Sequence, residues 1–455
     1  MESNRREKAE LILFVLAASI YFFALTYRAF GYYFDMHDIH NLSWSHIQSP
    51  LEFLIDTFNP LTNATIHTYR PAGALFYNLC YKFFGINFAQ FHFVNSLLHL
   101  INATIIFILI RDFTKNTFAA FLGGILFTFH SSSIPAYWKF SCIFDVLCGT
   151  LMFLAFLLYV KTKKMLRFSF FLSLIFFFFA CRTKEMAFAL PFILLFYELC
   201  LNNRWNIKKF VPFFVIAVLL GLPKIIAGVL TAKGHAYALD LQALGSNILF
   251  YWNTTILSSE QSSAGWMVAL LGAAVALLSR NRLLQFGYAC FYAALAPVLL
   301  LAAHRYDFFL YIPLFGICVY IAELFRSAEA SLKAPQVTRI YLYALLIICF
   351  AAFTLQNLKI IQKQEAIYVR EATQIKEFIQ LMKPLQPKND SMLLFDSGPD
   401  DFDVIVFTSA AHLLYHDWTI AAKIVDDCEN DFGPSQRPEV YCISYQKRKV
   451  YRIKL

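Results

Sequence analysis

The chain alternates long apolar runs with short polar segments, and the length of the runs decides what they form. Runs of roughly 17 to 25 apolar residues suit helices that cross a hydrocarbon layer. About eleven such spans are expected, near residues 9–30, 90–110, 117–137, 143–160, 166–181, 185–201, 210–230, 264–279, 283–303, 308–326 and 338–357. The polar segments at one end of these spans are short and basic: Arg5, Arg6 and Lys8, then Arg111 and Lys115, Lys161 to Arg167, Arg204 to Lys209, Arg280 and Arg282, and Arg326 to Arg339. That bias marks the cytoplasmic side. The other side receives ionisable residues of both signs.

Two segments on that second side are too long for tight turns. Residues 31–89 contain SPLEFLIDTF and AGALFYNLCYKFFG, which read as amphipathic helices lying in the interface, within 43–85. Residues 231–262 contain LGSNILFYWNTTIL, an interfacial or half-inserted helix. After the last span the pattern changes. IIQKQEAIYVREATQIKEFIQLMK predicts an amphipathic linker helix, and SMLLFDS, DVIVFT and EVYCISYQKRKVYRI read as strands, with SAAHLLYHD as a helix. The expected fold class is an all-α polytopic membrane protein with a small C-terminal α/β module. Its parts are a transmembrane region over 1–357, a linker helix over 358–389 and a module over 390–455. With the N-terminus in the cytoplasm, an odd number of spans puts that module on the non-cytoplasmic side.

Composition sharpens this picture. Of 455 residues, 59% are hydrophobic and only 15% charged, more apolar surface than one water-soluble core can hide. The net charge of +9 reports orientation and not nucleic acid, because the basic residues cluster between apolar runs. Ten cysteines are scattered without a CxxC or a Cys/His pair at zinc spacing, so no metal site and no cofactor is expected; a divalent metal has no support in the sequence. Only Cys428 and Cys442 lie in the polar tail, where an oxidising compartment would allow a disulfide. The N-terminal run lacks a small-residue cleavage site and reads as a retained helix.

Candidate chemistry gathers on the non-cytoplasmic side. GYYFDMHDIHNL seats Asp35, His37 and Asp38 where the chain leaves the first span, at a desolvation cost that Ser or Asn would avoid. Arg70 precedes Pro71 at a helix start, and its guanidinium can meet a phosphate near the headgroup layer or merely snorkel to lipid. His130 and Asp145 bracket an external loop that carries Trp138; they can share a polar pocket, with the indole stacking on a sugar, or simply cap their helices. Arg182, Lys184 and Glu185 crowd one turn between two apolar helices, and His304, Arg305, Tyr306 and Asp307 form a similar mixture. A local ion pair is the plain alternative for both. Together these groups suit glycosyl transfer from a polyprenyl-phosphate sugar. Arg70, Arg182, Lys184 and Arg305 would hold the donor phosphate, and Asp38 or Asp35 would act as base toward the acceptor hydroxyl. His37, His130, Trp138, Asp145, Glu185, His304 and Tyr306 would line the pocket.

At these residues the chain resembles membrane glycosyltransferases of the GT-C fold. The likeness is to the protein O-mannosyltransferase-like group, with the bacterial relatives of the transmembrane and tetratricopeptide-repeat-containing mannosyltransferases. The stretches that carry it are FDMHDIHNL, YRPAGALFYNLCYKFFGINFAQFHFVNSLLHLINA, FTFHSSSIPAYWKFSCIFDVLCGTLMFLAFLLY, TKEMAFALPFILLFYELCL and HRYDFFLYIPLFG. The resemblance implies a polyprenyl-phosphate sugar donor and an active site on the non-cytoplasmic face; the compact chain fits a bacterial inner membrane, with an internal eukaryotic membrane as the alternative. The acceptor stays open among protein, lipid and polysaccharide. The family's first loop commonly carries paired Asp residues; here the pair reads His37-Asp38, so the base role passes to Asp38, with Asp35 as substitute for the replaced partner. Lys184-Glu185 match the family's Lys-Glu turn, and His130 and Asp145 a His and an Asp flanking its second external loop. The tetratricopeptide tail of some relatives is absent. Two other classes compete. A lipid-linked sugar transporter would use charges near the midplane, of which Lys224 is the one hint. A non-catalytic lipid-binding relative would account for the His37 replacement.

Overall fold

The computed structural model describes residues 2–59, 69–133, 135–162, 165, 167–202, 207–231, 241–260, 262–299, 301, 305–331, 336–397, 403–425, 439–445, 447 and 449–453. The chain opens with α1 (Glu2–Thr26), which runs through a 3-10 turn to Gly31. Three short helices follow in the first long loop: α2 (Met36–Trp44), α3 (Pro50–Phe58) and α4 (Pro71–Phe84). Next come α5 (Phe88–Thr114), α6 (Thr117–Phe129), the single turn α7 (Pro135–Trp138), α8 (Ile143–Lys161), α9 (Phe168–Thr183), α10 (Leu190–Cys200) and α11 (Ile207–Thr231). The second half holds α12 (Leu241–Thr255), α13 (Ala264–Leu278), α14 (Arg282–Leu299), α15 (Leu314–Ser331), α16 (Gln336–Met382) and α17 (Val404–Tyr415).

Among the described residues, 4 helical stretches are long and apolar enough to cross a membrane: Arg5–Gly31, Phe88–Thr114, Phe140–Lys161 and Arg282–Leu299. Other apolar helices are shorter, among them Thr117–Phe129, Phe168–Thr183 and Ala264–Leu278. Ile20 on α1, Phe168 on α9, Leu219 on α11 and Leu270 on α13 are each more than half exposed. Apolar outer faces on this scale mark surfaces meant for lipid or another protein.

Three sequence expectations change. The run expected as one span over 117–137 ends at Phe129, because buried Ser131 to Ser133 divert the backbone. The Ser131 N–H donates to Asn357 Oδ1 at 2.7 Å and the Ser132 N–H to His130 Nδ1 at 3.1 Å. The last span and the linker are not separate elements, since α16 is one unbroken helix of 47 residues. Finally, DVIVFT is helix and not strand: the Asp403 carboxylate accepts from the Val406 N–H at 3.0 Å and caps α17. Val406, Phe407, Ala410, Ala411 and Leu413 then bury one helical face.

The C-terminal sheet has the order β2-β1-β3-β4, with β1 at Met392–Ser397, β2 at Ala421–Ile424, β3 at Val440–Ser444 and β4 at Lys449–Ile453. β1 pairs in parallel with β2 and β3, and β4 closes an antiparallel hairpin on β3. One face packs on α17 and on the far half of α16, where Phe378 lies 5.5 Å from the Phe395 ring and 5.0 Å from that of Phe407. The linker therefore supplies part of the module's core. Cys442 is disulfide-bonded; Cys428 lies outside the described residues.

α14 and α15 meet backbone to backbone at Gly287 and Gly316. A Cβ on Gly316 would fall 2.5 Å from the Gly287 carbonyl and from the Phe291 nitrogen, and one on Gly287 2.8 Å from the Gly316 carbonyl. Small residues are what allow such an approach. Gly316→Ala should force the helices apart at about 1–3 kcal/mol, the usual range for overpacking. A detergent-solubilised melting temperature unchanged by that substitution would show that the helices have room to spare.

Candidate functional site

The site is built on the first loop. Phe34 is fully buried against the Phe91 ring of α5, 5.2 Å away, and so the chain turns into α2 with Asp35 already inside the protein. Asp35 caps α2 reciprocally with Asp38. Asp35 Oδ1 accepts from the Asp38 N–H at 2.7 Å, and Asp38 Oδ2 accepts from the Asp35 N–H at 3.2 Å. Both residues are 0% exposed. Two carboxylates this close and this dry need a cation, and Lys139 supplies it at 2.8 Å from Asp35 Oδ2, with Glu371 of α16 4.0 Å from the same ammonium. Asp35 Oδ2 and Asp38 Oδ1 are both buried without a close hydrogen bond; Lys139 pairs with the first, and the Ser141 backbone lies beside the second carboxylate. Burial, and then the neighbouring Asp35 carboxylate, push the Asp38 carboxyl well above the ordinary carboxylate range; the Asp35 N–H, Lys139 and the Ser141 backbone work against that rise. Opposite charges hold Lys139 above the ordinary lysine range although burial alone would lower it, Asp35 contributing most.

A second cluster is assembled by α4, α8 and the turn after α9. Lys184 is buried and its ammonium bonds both Asp145 oxygens at 2.6 Å, with the Phe308 and Phe309 rings 5.4 and 4.9 Å away. Glu185, next in sequence, receives Arg70 in a forked contact, Nη2 at 2.7 Å and Nε at 3.0 Å, and Lys224 of α11 at 2.9 Å. Three cations thus face two carboxylates, a balance of one positive charge. Lys139 and Asp145 stand six residues apart, on either side of the single turn Phe140–Cys142, so the two clusters adjoin.

The remaining expected residues are distributed differently. Arg182 donates to the carbonyl oxygens of Asp56 and Asn59, the latter at 3.1 Å, and so finishes the C-terminal end of α3. His130 is a buried pin: its Nδ1 accepts from Ser132 and its Nε2 meets the Thr255 carbonyl at 3.1 Å. Arg305 is turned to α12, donating to Asn247 Oδ1 at 2.7 Å and Ser246 Oγ at 2.9 Å. Tyr306 is half exposed and stacks on Phe308, 5.1 Å between ring centres, next to the Lys184 ammonium that the Phe308 ring faces. Trp138 is buried beside Lys139 in sequence. His37 is exposed, its Nδ1 3.9 Å from Asp35 Oδ2. His304 lies outside the described residues.

Two groups central to the geometry are missing from the sequence expectations. Lys139 sits in YWKFS, the lone cation of an external loop otherwise made of apolar and hydroxyl residues, which is the signal that could have found it. Glu371 had none, being one charge among many on an amphipathic helix. Lys224, legible as an odd internal charge, finds its carboxylate in Glu185.

The C-terminal module closes over this region. α17 packs on α2, with His412 Nδ1 3.3 Å from Ser43 Oγ and Trp418 Nε1 donating to the Ser43 carbonyl at 3.4 Å. The His46 ring stacks on Trp418 with centres 5.4 Å apart, and Tyr81 OH meets His416 Nδ1 at 3.3 Å. From the other side α16 contributes the Tyr368 hydroxyl to the Tyr33 carbonyl at 3.0 Å. Asp38 therefore lies beneath two elements remote in sequence. Compared with known proteins, the chain matches no family model and no curated protein.

The Lys184–Asp145 pair tests the electrostatic account. Lys184→Met should cost about 3–5 kcal/mol by leaving a buried carboxylate uncompensated. Adding Asp145→Asn should recover much of it, giving a coupling energy of about 0.5–3 kcal/mol in a double-mutant cycle. Additive losses in thermal unfolding would mean that the two groups are solvated independently.

Proposed function

We propose that the protein is an integral-membrane glycosyltransferase that moves a sugar from a polyprenyl-phosphate donor to an acceptor hydroxyl on the non-cytoplasmic face. The observation that carries this reading is the adjacency of a fully buried carboxylate, Asp38, to a cluster of net positive charge, Arg70, Lys184 and Lys224 against Asp145 and Glu185. Displacement at an anomeric carbon needs both, a base for the incoming hydroxyl and cations for the departing phosphate. The roles then follow. Asp38 removes the acceptor proton as the acceptor oxygen bonds to the anomeric carbon; the bond from that carbon to the phosphate oxygen breaks, and polyprenyl phosphate leaves toward Arg70 and Lys184. Attack from the side opposite the leaving group inverts the configuration. Asp35 and Lys139 hold Asp38 in place without touching substrate, and FDMHDIHNL is one of the five stretches that carry the resemblance to the GT-C fold.

The remaining features fit this assignment. The apolar outer faces give a lipid tail a surface to follow, and lipid-borne donors explain cations gathered at the ends of apolar helices. Lys224, the one hint of a transport path, is engaged by Glu185 and the Tyr69 carbonyl. The acceptor approaches after α17 separates from α2, since Asp38 is fully covered in the arrangement described. That enclosure also favours the second reading, a lipid-binding relative without catalysis.

Asp38→Asn separates the two. The amide keeps an acceptor for the Asp35 N–H but cannot take a proton, so transfer should fall at least 10²-fold, the usual contribution of a positioned base. The sign of the stability change is opposite. A carboxyl whose folded pKa is raised stabilises the fold below its unfolded pKa, and that contribution is lost as pH rises through the folded value, so the Asn variant should melt no lower than wild type near neutral pH. For wild type the transfer rate should climb with pH as Asp38 deprotonates, with a midpoint above the ordinary carboxylate range. Full transfer by the Asn variant would remove Asp38 as base, and donor binding without turnover by wild type would establish the non-catalytic reading.

A further inference from the structure

We infer a second phosphate-binding site at the opposite end of the helices, independent of the reaction proposed for Asp38. A cavity of about 530 Å³ opens where α5, α8 and α10 end, beside the start of α14 and the side of α15. Its charged lining is Lys115, Lys161, Arg282 and Arg326 with Asp112 and Glu323. Four cations against two carboxylates leave two positive charges in a recess large enough for a phosphate and its substituent.

The carboxylates organise the cations more than they neutralise the cavity. Glu323 has a fully buried side chain and holds the Arg326 guanidinium through two bonds, Nη2 at 2.6 Å and Nε at 2.7 Å, while Asn281 Nδ2 donates to the same carboxylate at 2.5 Å. Lys161 pairs with Asp112 at 2.5 Å across the ends of α8 and α5. Among the described residues no carboxylate is paired with Lys115, which at φ 53 terminates α5 in the left-handed region, with its N–H on the Arg111 carbonyl. Guanidinium and ammonium groups gathered around one recess are the chemistry that takes a phosphate. Phe113 and Tyr197 add an apolar wall for what the phosphate is attached to. α5 connects the two sites, from Phe91 beside the first loop to Asp112 at the cavity, and at 1.5 Å per residue they are roughly 30 Å apart. One phosphate cannot serve both.

The ligand class is a phosphate ester, from an anionic phospholipid headgroup or from a soluble phosphate on the basic side. The test uses the full chain in nanodiscs of phosphatidylcholine alone, of phosphatidylcholine with phosphatidylglycerol, and of phosphatidylcholine with inorganic phosphate in the buffer. Lys115 labelling by an amine-reactive reagent is followed by peptide mass spectrometry. Phosphatidylglycerol should slow it about tenfold when present at ten times its Kd, and native mass spectrometry should show a retained phosphatidylglycerol that Lys115→Gln with Arg282→Gln releases. Protection by inorganic phosphate in neutral discs supports the same site with a soluble ligand. Equal labelling in all three discs overturns it.

Discussion

The salt bridge between Lys139 and Asp35 is the contact on which the first loop depends. It joins the segment before α8 to the N-cap of α2, two stretches about a hundred residues apart in sequence. Without it, Asp35 and Asp38 would be two carboxylates sharing a dry pocket, a state that ordinary proteins relieve by protonating one of them or by admitting water. With it, Asp35 has a cation, while Asp38 spends one oxygen on the cap and keeps its carboxyl buried beside the Ser141 backbone. Reciprocal capping is usually a stabilising feature at a helix start, worth about 0.5–2 kcal/mol. Here the same geometry fixes the direction of a carboxyl, which is why a capping pair and a proposed catalytic base can be the same two residues.

The second cluster follows the same logic with the signs reversed. The turn from Arg182 to Glu185 is built of charges because each has a partner supplied by a different helix: Asp145 from α8 for Lys184, Arg70 from the start of α4 and Lys224 from α11 for Glu185. Such a turn ties together elements that apolar packing alone would leave free to slide. Arg182, in contrast, is spent on the carbonyl oxygens that end α3. Neighbours in sequence thus divide between fastening the short first-loop helices and building a cluster of net positive charge.

Helix positions were largely legible in the sequence because apolar run length and end charges vary slowly along the chain, and Gly85 or Pro71 mark ends sharply. Breaks that depend on partners were not. The end of α6 requires Asn357, more than two hundred residues away, to satisfy the Ser131 N–H. The first turns of α17 read as a strand because VIVF is β-branched and aromatic, while SAAHLLYHD already read as helix; the Asp403 cap and the buried face against the sheet make the two one helix. In the site, Asp35, Asp38, Arg70, Asp145, Lys184 and Glu185 were visible as charges where apolar helices end. Their pairing was not, since an ion pair between distant segments leaves no local pattern. Lys139 and the covering of α2 by the C-terminal module belong to that category as well.

In the proposed reaction a donor phosphate and a reacting sugar meet between these two clusters. The most direct measurement is an experimental structure of the full chain with a non-hydrolysable polyprenyl-phosphate sugar analogue. The account predicts the phosphate within hydrogen-bond distance of Arg70 or Lys184, the anomeric carbon facing Asp38, and α17 displaced from α2. An analogue threaded between helices with its sugar remote from Asp38 would contradict it.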